Sequence, residues 1–403
     1  MVSLYLERYA WKQELFPNFD PPNDLGTIIV LPAFKEPEIE LALEALNQCL
    51  KPEKEVLILI IVNESKNAPL EVININKECL RTIRSFDAKF NILTSYLKLP
   101  EKKAGVGLAR KIGMDEAVRM FRKADHDGII ICYDADSRCD ENYLKEIEKT
   151  YQDHNVRAGI VFHEHQLNRE NHDAILQYEL YLRYYIDALR FSGFPHAYQT
   201  LGSCITIRCS QYEKVGGMNT RKAGEDFYFL NKIIPAGGFV EINSTTVRPS
   251  DRISDRVPFG TGKAVNDILH SAEMYDVYHP NSFEDLKIFF DRITGFFESC
   301  EWIIPKTIQA FLGVDWKEQI LELKNNVASQ KSFEKRFFQW FDAFKVLKFV
   351  HFSRDNFYQN VELEEALSWL RQHTLHLPGS LGSQLIQLRY FDRNYKKPIL
   401  EHL

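Results

Sequence analysis

Three short runs of almost purely apolar residues, each followed by polar side chains, constrain the fold of this chain most strongly. They cover residues 27–32, 56–62 and 128–132. Apolar runs of this length without alternation are typical of strands that are buried on both faces, as in a parallel sheet. Helical spacing of apolar residues between the runs predicts βαβ units and a doubly wound α/β sheet. In such sheets ligands bind beyond the carboxyl ends of the strands, where these polar residues lie.

Length and composition favour an ordinary globular protein of two domains. The chain has 403 residues, of which 45% are hydrophobic and 26% charged, and its net charge of -6 gives no general attraction to nucleic acid. Residues 248–263 are rich in Arg, Asp, Ser and Gly, as in many active-site loops. From about residue 264 the apolar spacing is helical throughout. We therefore predict a catalytic domain with an N-terminal extension over residues 1–262 and an all-helical domain over 263–403.

Cysteine usage and hydropathy predict a cytoplasmic protein. The seven cysteines are scattered, odd in number and never spaced as CxxC, which argues against a disulfide framework or a structural zinc site. The N-terminus lacks the positively charged start and apolar run of a secretory signal. The longest apolar runs are too short to cross a bilayer, so no transmembrane segment is expected. Peripheral association with a membrane surface stays open.

Asp134 and Asp136 follow the third apolar run as the triplet Asp134-Ala135-Asp136. In extended backbone their side chains project to the same side, so the two carboxylates can hold Mg²⁺ or Mn²⁺ together with phosphate oxygens. The pattern is common by chance, and either residue could instead cap the turn into a helix expected near Glu141. Its position at the end of a buried strand favours the metal site.

Four stretches of the sequence form a pattern together: residues 28–36, residues 107–113, residues 134–136, and Gly216-Gly217-Met218 followed by Gly224-Glu225-Asp226. In this order they resemble motifs of the family 2 glycosyltransferases. The motifs are the family's Pro-Ala-Tyr-Asn-Glu strand end, its Ala-Arg-Asn-x-Gly helix start, its Asp-x-Asp and its Gly-Gly-Phe then Glu-Asp pair. The resemblance spans residues 27–235 and implies the Rossmann-like GT-A fold of the nucleotide-diphospho-sugar transferases. Residues 264–403 have no counterpart in it.

The resemblance also implies a donor site for the nucleotide sugar. In it Pro32, Ala33 and Glu36 would border the base and the ribose. Asn63 stands where the family usually has an aspartate that touches the base, and because Asn both donates and accepts, the base contact can differ from the usual uracil arrangement. Arg110 would lie near the nucleotide or the donor sugar, and Asp134 would approach the ribose or the sugar.

The catalytic roles follow from the same resemblance. Asp136 would bind the metal, and Asp226 would be the catalytic base with Glu225 beside it. An inverting transfer needs a base for the acceptor hydroxyl and an electrophile for the departing diphosphate, and a carboxylate and a metal supply both. From the residues alone, Asp226 could equally be the N-cap of a helix over residues 227–234, and both roles can hold at once.

Several basic residues beside Gly260-Thr261-Gly262 predict a phosphate-binding lid. Arg252, Arg256 and Lys263, with Arg248, could fold over the diphosphate, because Arg makes bidentate phosphate contacts and glycines permit movement. The alternative is that nearby Asp251 and Asp255 pair with these arginines in a purely structural network.

Three further patterns have a structural and a functional interpretation. His163 and His165 alternate on an expected strand and are more often hydrogen-bonded than zinc-binding. The tyrosine-rich helix expected over residues 173–191 could line an acceptor pocket, although core packing is commoner. A stripe of large apolar side chains on one helical face is expected to be core: Phe333, Phe337, Trp340, Phe341, Phe344 and Leu347.

Together these patterns favour a metal-dependent, inverting glycosyltransferase of the hexosyltransferase class. Its expected partners are a UDP- or GDP-type nucleotide-sugar donor and a hydroxyl-bearing acceptor, which is a glycan, a lipid-linked substrate or a small molecule. No nucleic-acid partner is expected. The alternatives are a retaining GT-A transferase, a nucleotidyltransferase, or a catalytically degenerate module that binds sugar or nucleotide, to which Asn63 lends some support.

Overall fold

The computed structural model of this protein describes residues 3–167, 171–222, 224–252, 260–270, 275–298, 302–373 and 379–395. The chain forms two compact units. Unit 1 comprises Met1–Arg169 and Thr200–Ala264, and unit 2 comprises Glu170–Gln199 and Val265–Leu403. Residues 170–199, which the sequence assigned to the catalytic domain, therefore belong to the second unit. The functional division into a catalytic and a helical domain stays a prediction.

The helices and strands alternate in the first half of the chain and are almost all helices in the second. The strands are β1 (Leu25–Ala33), β2 (Glu55–Ser65), β3 (Asn91–Leu99), β4 (Ile129–Cys132), β5 (Arg138–Cys139), β6 (Ala158–His163), β7 (Ile205–Arg208), β8 (Phe239–Arg248), β9 (Asp276–Val277) and β10 (Val361–Glu362). The helices up to residue 269 are α1 (Leu4–Arg8), α2 (Ile39–Gln48), α3 (Leu70–Ser85), α4 (Val106–Lys123), α5 (Tyr143–Thr150), α6 (His172–Phe191), α7 (Cys209–Lys214), α8 (Glu225–Ile233) and α9 (Thr261–Leu269). The later helices are α10 (Pro280–Phe290), α11 (Ile293–Glu298), α12 (Lys306–Leu312), α13 (Trp316–Asn325), α14 (Gln330–Trp340), α15 (Ala343–Asn356), α16 (Leu363–His373) and α17 (Leu381–Asn394).

Unit 1 contains a single mixed sheet of eight strands among its described residues, in the order β3-β2-β1-β4-β7-β6-β8-β5. Strands β3, β2, β1 and β4 run parallel to one another, whereas β7 is antiparallel to both of its neighbours. The sheet is therefore parallel over β3, β2, β1 and β4 and mixed beyond β4. The expected α/β sheet domain followed by a helical C-terminal region is confirmed.

The three apolar runs form β1, β2 and β4, and their burial explains their composition. All nine residues of β1 and all four of β4 are buried, as expected of interior strands of a sheet. Helix α4 packs on β1 and β2, and a Cβ atom at Gly113 would lie only 2.4 Å from Cγ1 of Val30. Glycine at this position therefore lets α4 approach the sheet, and it fixes the start of α4 near the carboxyl ends of the strands.

Unit 2 is helical apart from the short pair β9 and β10 in its described residues. Phe333, Phe337 and Phe341 of the predicted stripe are fully buried, so the core interpretation is confirmed for them. Phe337 and Phe341 pack on Phe289, and Phe333 packs on Phe337. The stripe does not lie on one helix, because α14 ends at Trp340 and the side chain of Asp342 caps α15. None of the helices in the described ranges is long and apolar enough to span a membrane.

Candidate active site

The carboxyl end of β4 and the start of α8 bring three of the expected site residues together around Arg110. One terminal nitrogen of Arg110, Nη2, donates to Oδ1 of Asp134 at 2.6 Å, and the other, Nη1, donates to Oε1 of Glu225. Asp226 follows Glu225 in the first turn of α8. From the sequence, only the family resemblance placed these residues in one site. The side-chain contacts now show that Asp134 and Glu225 both bind Arg110.

Arg110 is a buried cation whose charge is balanced by carboxylates. Only 2% of its surface is exposed, and its guanidinium lies against Gly202, where an added Cβ would be 2.7 Å from Nη1. Burial by itself lowers the pKa of Arg110, but Asp134 and Glu225 outweigh this effect and raise the pKa well above its ordinary value. The guanidinium is therefore permanently charged and holds the two carboxylates at fixed positions.

The two carboxyl groups at the start of α8 have raised pKa values. Burial raises the pKa of Glu225 to about 7, with Arg110 acting in the opposite direction. The pKa of Asp226 is also raised, first by burial, and Arg110 again lowers it. Desolvation favours the neutral acid, and the charge of Arg110 opposes this effect for both groups.

Asp226 is not the N-cap of its helix, so that alternative is wrong. Gly224 occupies the N-cap position of α8 in the left-handed conformation, with φ 68°, and Asp226 lies inside the first turn. Oδ1 of Asp226 accepts a hydrogen bond of 2.7 Å from the backbone N–H of Phe227. The carboxylate is half-buried and anchored through one oxygen. Similarly, α5 begins after Asn142, so neither Asp134 nor Asp136 caps it.

Asp136 lies beside a second arginine, Arg252. Nη2 of Arg252 donates to Oε2 of the fully buried Glu36 at 2.6 Å and lies 3.5 Å from Oδ2 of Asp136, while Nη1 donates to Glu38 at 3.0 Å. Partial burial alone lowers the pKa of Arg252, but Glu36, Asp136 and Glu38 outweigh it and raise the pKa. Arg252 of the predicted lid is thus paired with carboxylates at the ends of β1 and β4.

The other basic residues of the predicted lid are Arg248, Arg256 and Lys263. Arg248 pairs with Asp140 at 2.6 Å and with Glu164 at 3.2 Å, as in a structural network. Lys263 lies in the first turn of α9. Arg256 lies outside the described residues. A shallow pocket opens beside Asp136 and Arg252 and is also lined by Glu38, Leu41, Arg138, Gln166, Arg248, Pro249, Ser250 and Asp251.

Asn63, at the carboxyl end of β2, has its amide orientation set by the neighbouring strand. Its Nδ2 donates to the carbonyl of Ala33 at 3.0 Å, next to Pro32 at the end of β1. The side chain of Asn63 is buried, and Nδ2 of Asn76 donates to the backbone carbonyl of Asn63 at 3.1 Å. An aspartate cannot donate to Ala33, so Asn63 ties β1 to β2 in a way that the usual family residue does not.

The carboxylates at this edge match the oxygen ligands that Mg²⁺ and Mn²⁺ prefer, but they do not form a complete cage. Asp136 offers hard oxygens with 22% of its side chain exposed. Among the residues that the structure describes, no group of three or more His, Cys, Asp or Glu side chains could hold a metal ion alone. A metal at Asp136 fits only as an ion that takes its other ligands from water and a diphosphate. His163 and His165 pack their rings edge to face 6.0 Å apart.

Three residues of the site were missed by the sequence predictions. Glu38 pairs with Arg252, Asn76 links Asn63 to Glu64, and Gly202 makes room for the Arg110 guanidinium. Glu38 lies two residues beyond Glu36, so its position near the end of β1 was a usable signal. Asn76 and Gly202 have no such signal, because a helix and a distant turn bring them to the site.

Comparisons with known proteins give only a remote structural likeness. No protein-family model matches the chain, and no curated protein matches it. Staphylococcus aureus TarS 1-349 is similar with 12% identity and a TM-score of 0.41, over 92% of this chain and 91% of that chain. TarS 1-349 in complex with UDP-GlcNAc matches with 12% identity and a TM-score of 0.41, over 86% and 92%. TarS 1-349 in complex with UDP matches with 13% identity and a TM-score of 0.38, over 94% and 95%. At these values the likeness indicates nothing about what this chain binds or does.

Proposed function

We propose that this protein transfers a sugar from a nucleotide-diphosphate donor to a hydroxyl acceptor with inversion at the anomeric carbon. One observation carries the proposal: Asp134, at the end of β4, and Glu225, next to Asp226 at the start of α8, both bind Arg110. Asp134, Asp136 and the Glu225–Asp226 pair are therefore proposed to share one edge of the sheet. Ligands bind at this edge in α/β sheets.

Asp226 is the proposed base. Its Oδ1 accepts from the Phe227 N–H, which fixes the carboxylate and leaves Oδ2 to take the proton of the acceptor hydroxyl. Loss of this proton accompanies attack of the hydroxyl oxygen on the anomeric carbon, while the bond to the diphosphate breaks. The raised pKa of Asp226 suits this role, because a carboxylate with a higher pKa is a stronger base. Glu225, the neighbour of Asp226, is proposed to help hold the base in position.

Asp136 is the proposed ligand of Mg²⁺ or Mn²⁺. Such an ion, when bound, would neutralise the charge that develops on the diphosphate leaving group. Arg252 lies 3.5 Å from the same carboxylate, so binding of a metal requires Arg252 to share or leave Asp136. Arg252 and Lys263, and Arg256 outside the described residues, are proposed to contact the diphosphate once the donor binds.

The remaining donor contacts are proposed from position. Pro32 and Ala33 end β1, Asn63 donates across to Ala33, and Glu36 lies just beyond them. This corner would border the base and the ribose, whereas Asp134, with 36% of its side chain exposed, would face the ribose or the sugar. The donor nucleotide is proposed to be of the UDP or GDP type.

A donor panel tests the proposal. Hydrolysis of UDP-, GDP- and CDP-sugars is measured with and without Mn²⁺ for the wild type, Asp136→Asn and Asp226→Asn, with the exposed Asp87→Asn as the matched control. We expect metal-stimulated turnover in the wild type and the control and its loss in both site variants. Undiminished turnover in both site variants contradicts the assignment. Pyrophosphate release indicates nucleotidyl transfer, retention of the anomeric configuration in the product indicates a retaining enzyme, and donor binding without turnover indicates a binding module.

A further inference from the structure

Arg110 has a position that suits an organising role better than contact with the donor. We infer that Arg110 is a positioning residue, whose guanidinium holds Asp134 on the donor side and Glu225 on the base side in one fixed arrangement. This inference rests on the proposed function and deepens it. It changes the role that the family resemblance implied for Arg110, which was contact with the nucleotide or the donor sugar.

The geometry leaves the guanidinium little reach toward a ligand. Nη2 binds Asp134, Nη1 binds Glu225, and only 2% of the residue is exposed. The planar fork of Arg presents its donors in fixed directions, so the two carboxylates are held at a set separation and orientation. Lysine, with a single ammonium group, cannot reproduce this two-sided contact. The exposed partner in the cluster is Asp134, which makes it the group that can touch a donor.

Gly202 provides independent evidence that the site is built around this guanidinium. A Cβ atom at residue 202 would lie 2.7 Å from Nη1, 2.9 Å from Nη2 and 3.0 Å from Cζ of Arg110. Contacts under 3 Å force one group to move, so Gly202→Ala displaces the guanidinium while keeping every charge of the cluster. This substitution separates the position of Arg110 from its charge.

The charges around the proposed base show what Arg110 supplies. Four groups interact electrostatically with Asp226. They are Arg110 of α4, Cys132 and Asp134 at the end of β4, and Glu225 of α8. All of these groups except Arg110 are acidic. Without the guanidinium, three neighbouring carboxyl groups repel one another and take up protons at higher pH. A protonated Asp226 cannot accept the proton of the acceptor hydroxyl.

Steady-state kinetics of Arg110→Lys, Arg110→Met and Gly202→Ala test the inference. Because a displacement of about 1 Å can cost about 100-fold in rate, we expect kcat to fall about 100-fold in all three, with the donor KM changed by less than about threefold. In Arg110→Met the acidic limb of the kcat profile moves to higher pH, and in Gly202→Ala it moves less. Gly382→Ala is the matched control, since its added methyl group would meet only Ser380 at 3.9 Å.

The outcomes separate this inference from the proposed function. A large rise in donor KM with unchanged kcat makes Arg110 a donor ligand and overturns the inference while the transferase stands. A wild type without transfer overturns the proposed function. In that case urea unfolding at pH 5 and pH 8 still tests whether Arg110 holds the carboxylates: Arg110→Met must lose more stability at pH 8, where uncompensated carboxylates are charged. Equal losses at both pH values also overturn the inference.

Discussion

Two buried arginine clusters, one in each unit, use the same chemistry toward different ends. In unit 1, Arg110 binds Asp134 and Glu225. In unit 2, Arg183 on α6 binds Glu179 of the same helix and Asp392 of α17. The arginine of each cluster is almost completely buried and has its pKa raised by the carboxylates around it. Each cluster also contains a carboxyl group whose pKa burial raises to about 7, which is Glu225 in one and Asp187 in the other.

The two clusters differ in how exposed their carboxylates are. The unit 1 cluster is the open cluster, because the side chain of Asp134 is 36% exposed at the carboxyl edge of a sheet. The unit 2 cluster is the closed cluster, because its carboxylates Glu179 and Asp392 are buried. Two further arginines of the closed cluster, Arg190 and Arg389, are 6% and 14% exposed and bind Asp392 and Glu179 respectively. A perturbed pKa therefore does not identify a functional site by itself. What distinguishes the candidate site is a perturbed group together with an exposed carboxylate that a ligand can reach.

The largest expected effect comes from replacing the proposed catalytic base of the open cluster. Asp226→Asn should lower kcat about 10²- to 10⁴-fold, the range that general-base catalysis contributes, since the amide cannot take a proton. Its unfolding free energy should stay close to that of the wild type, because the amide oxygen still accepts from the Phe227 N–H. Steady-state kinetics and urea unfolding measure the two quantities. A large loss of stability with normal kcat would place Asp226 with the structural cluster of unit 2.

The closed cluster should respond in the opposite way. Asp392→Ala removes the shared acceptor of Arg183 and Arg190 and leaves buried positive charge, which should cost about 3–5 kcal/mol of unfolding free energy. Tryptophan fluorescence is a suitable probe, because four of the five tryptophans (Trp302, Trp316, Trp340 and Trp369) belong to unit 2. Asp315→Ala, at an exposed position of the same unit, is the control. An unchanged unfolding midpoint would show that the buried ion pairs contribute nothing measurable.

The continuous apolar runs predicted three interior strands of the sheet, whereas β3, β5 and β8 were not predicted. β1, β2 and β4 are continuous apolar runs because they lie in the interior of the sheet. β3 lies at one edge of the sheet, and its mixed sequence Asn-Ile-Leu-Thr-Ser-Tyr-Leu-Lys-Leu reflects a half-exposed position. Hydropathy also carries no direction, so the antiparallel insertion of β7 between β4 and β6 could not be predicted from it.

The candidate site was predictable in its residues but not in its contacts. The order of Arg110, Asp134 and Glu225 along the chain follows a family pattern that can be read from the sequence. Arg110 and Glu225 are 115 positions apart, and Arg252 and Glu36 are 216 apart, so their pairing depends on the fold. A local sequence pattern therefore predicted lid and donor contacts for both arginines, whereas each arginine binds carboxylates.

The pH dependence of the unfolding free energy tests the closed cluster through Asp187. Burial raises the pKa of Asp187 from 3.8 to about 7, with Asp392 adding to the shift and Arg190 opposing it. A carboxyl group with a raised folded-state pKa contributes stability below its unfolded pKa and loses it as the pH rises through the folded value. The unfolding free energy of the wild type should therefore fall between about pH 4 and pH 7. Asp187→Asn should flatten this fall, and an identical slope in the variant would contradict the assignment.

The smallest expected effect on stability comes from making one conservative substitution in each cluster. Nε and Nη2 of Arg389 donate to the two oxygens of Glu179, at 2.8 Å and 2.7 Å. Arg389→Lys loses one of these bonds while keeping the charge, which should cost about 1 kcal/mol of unfolding free energy and leave kcat unchanged. Arg110→Lys should do the reverse, lowering kcat with a comparably small loss of stability. If both variants lost only stability, the open cluster would be structural like the closed one, because the same change in donor geometry would then have no catalytic consequence.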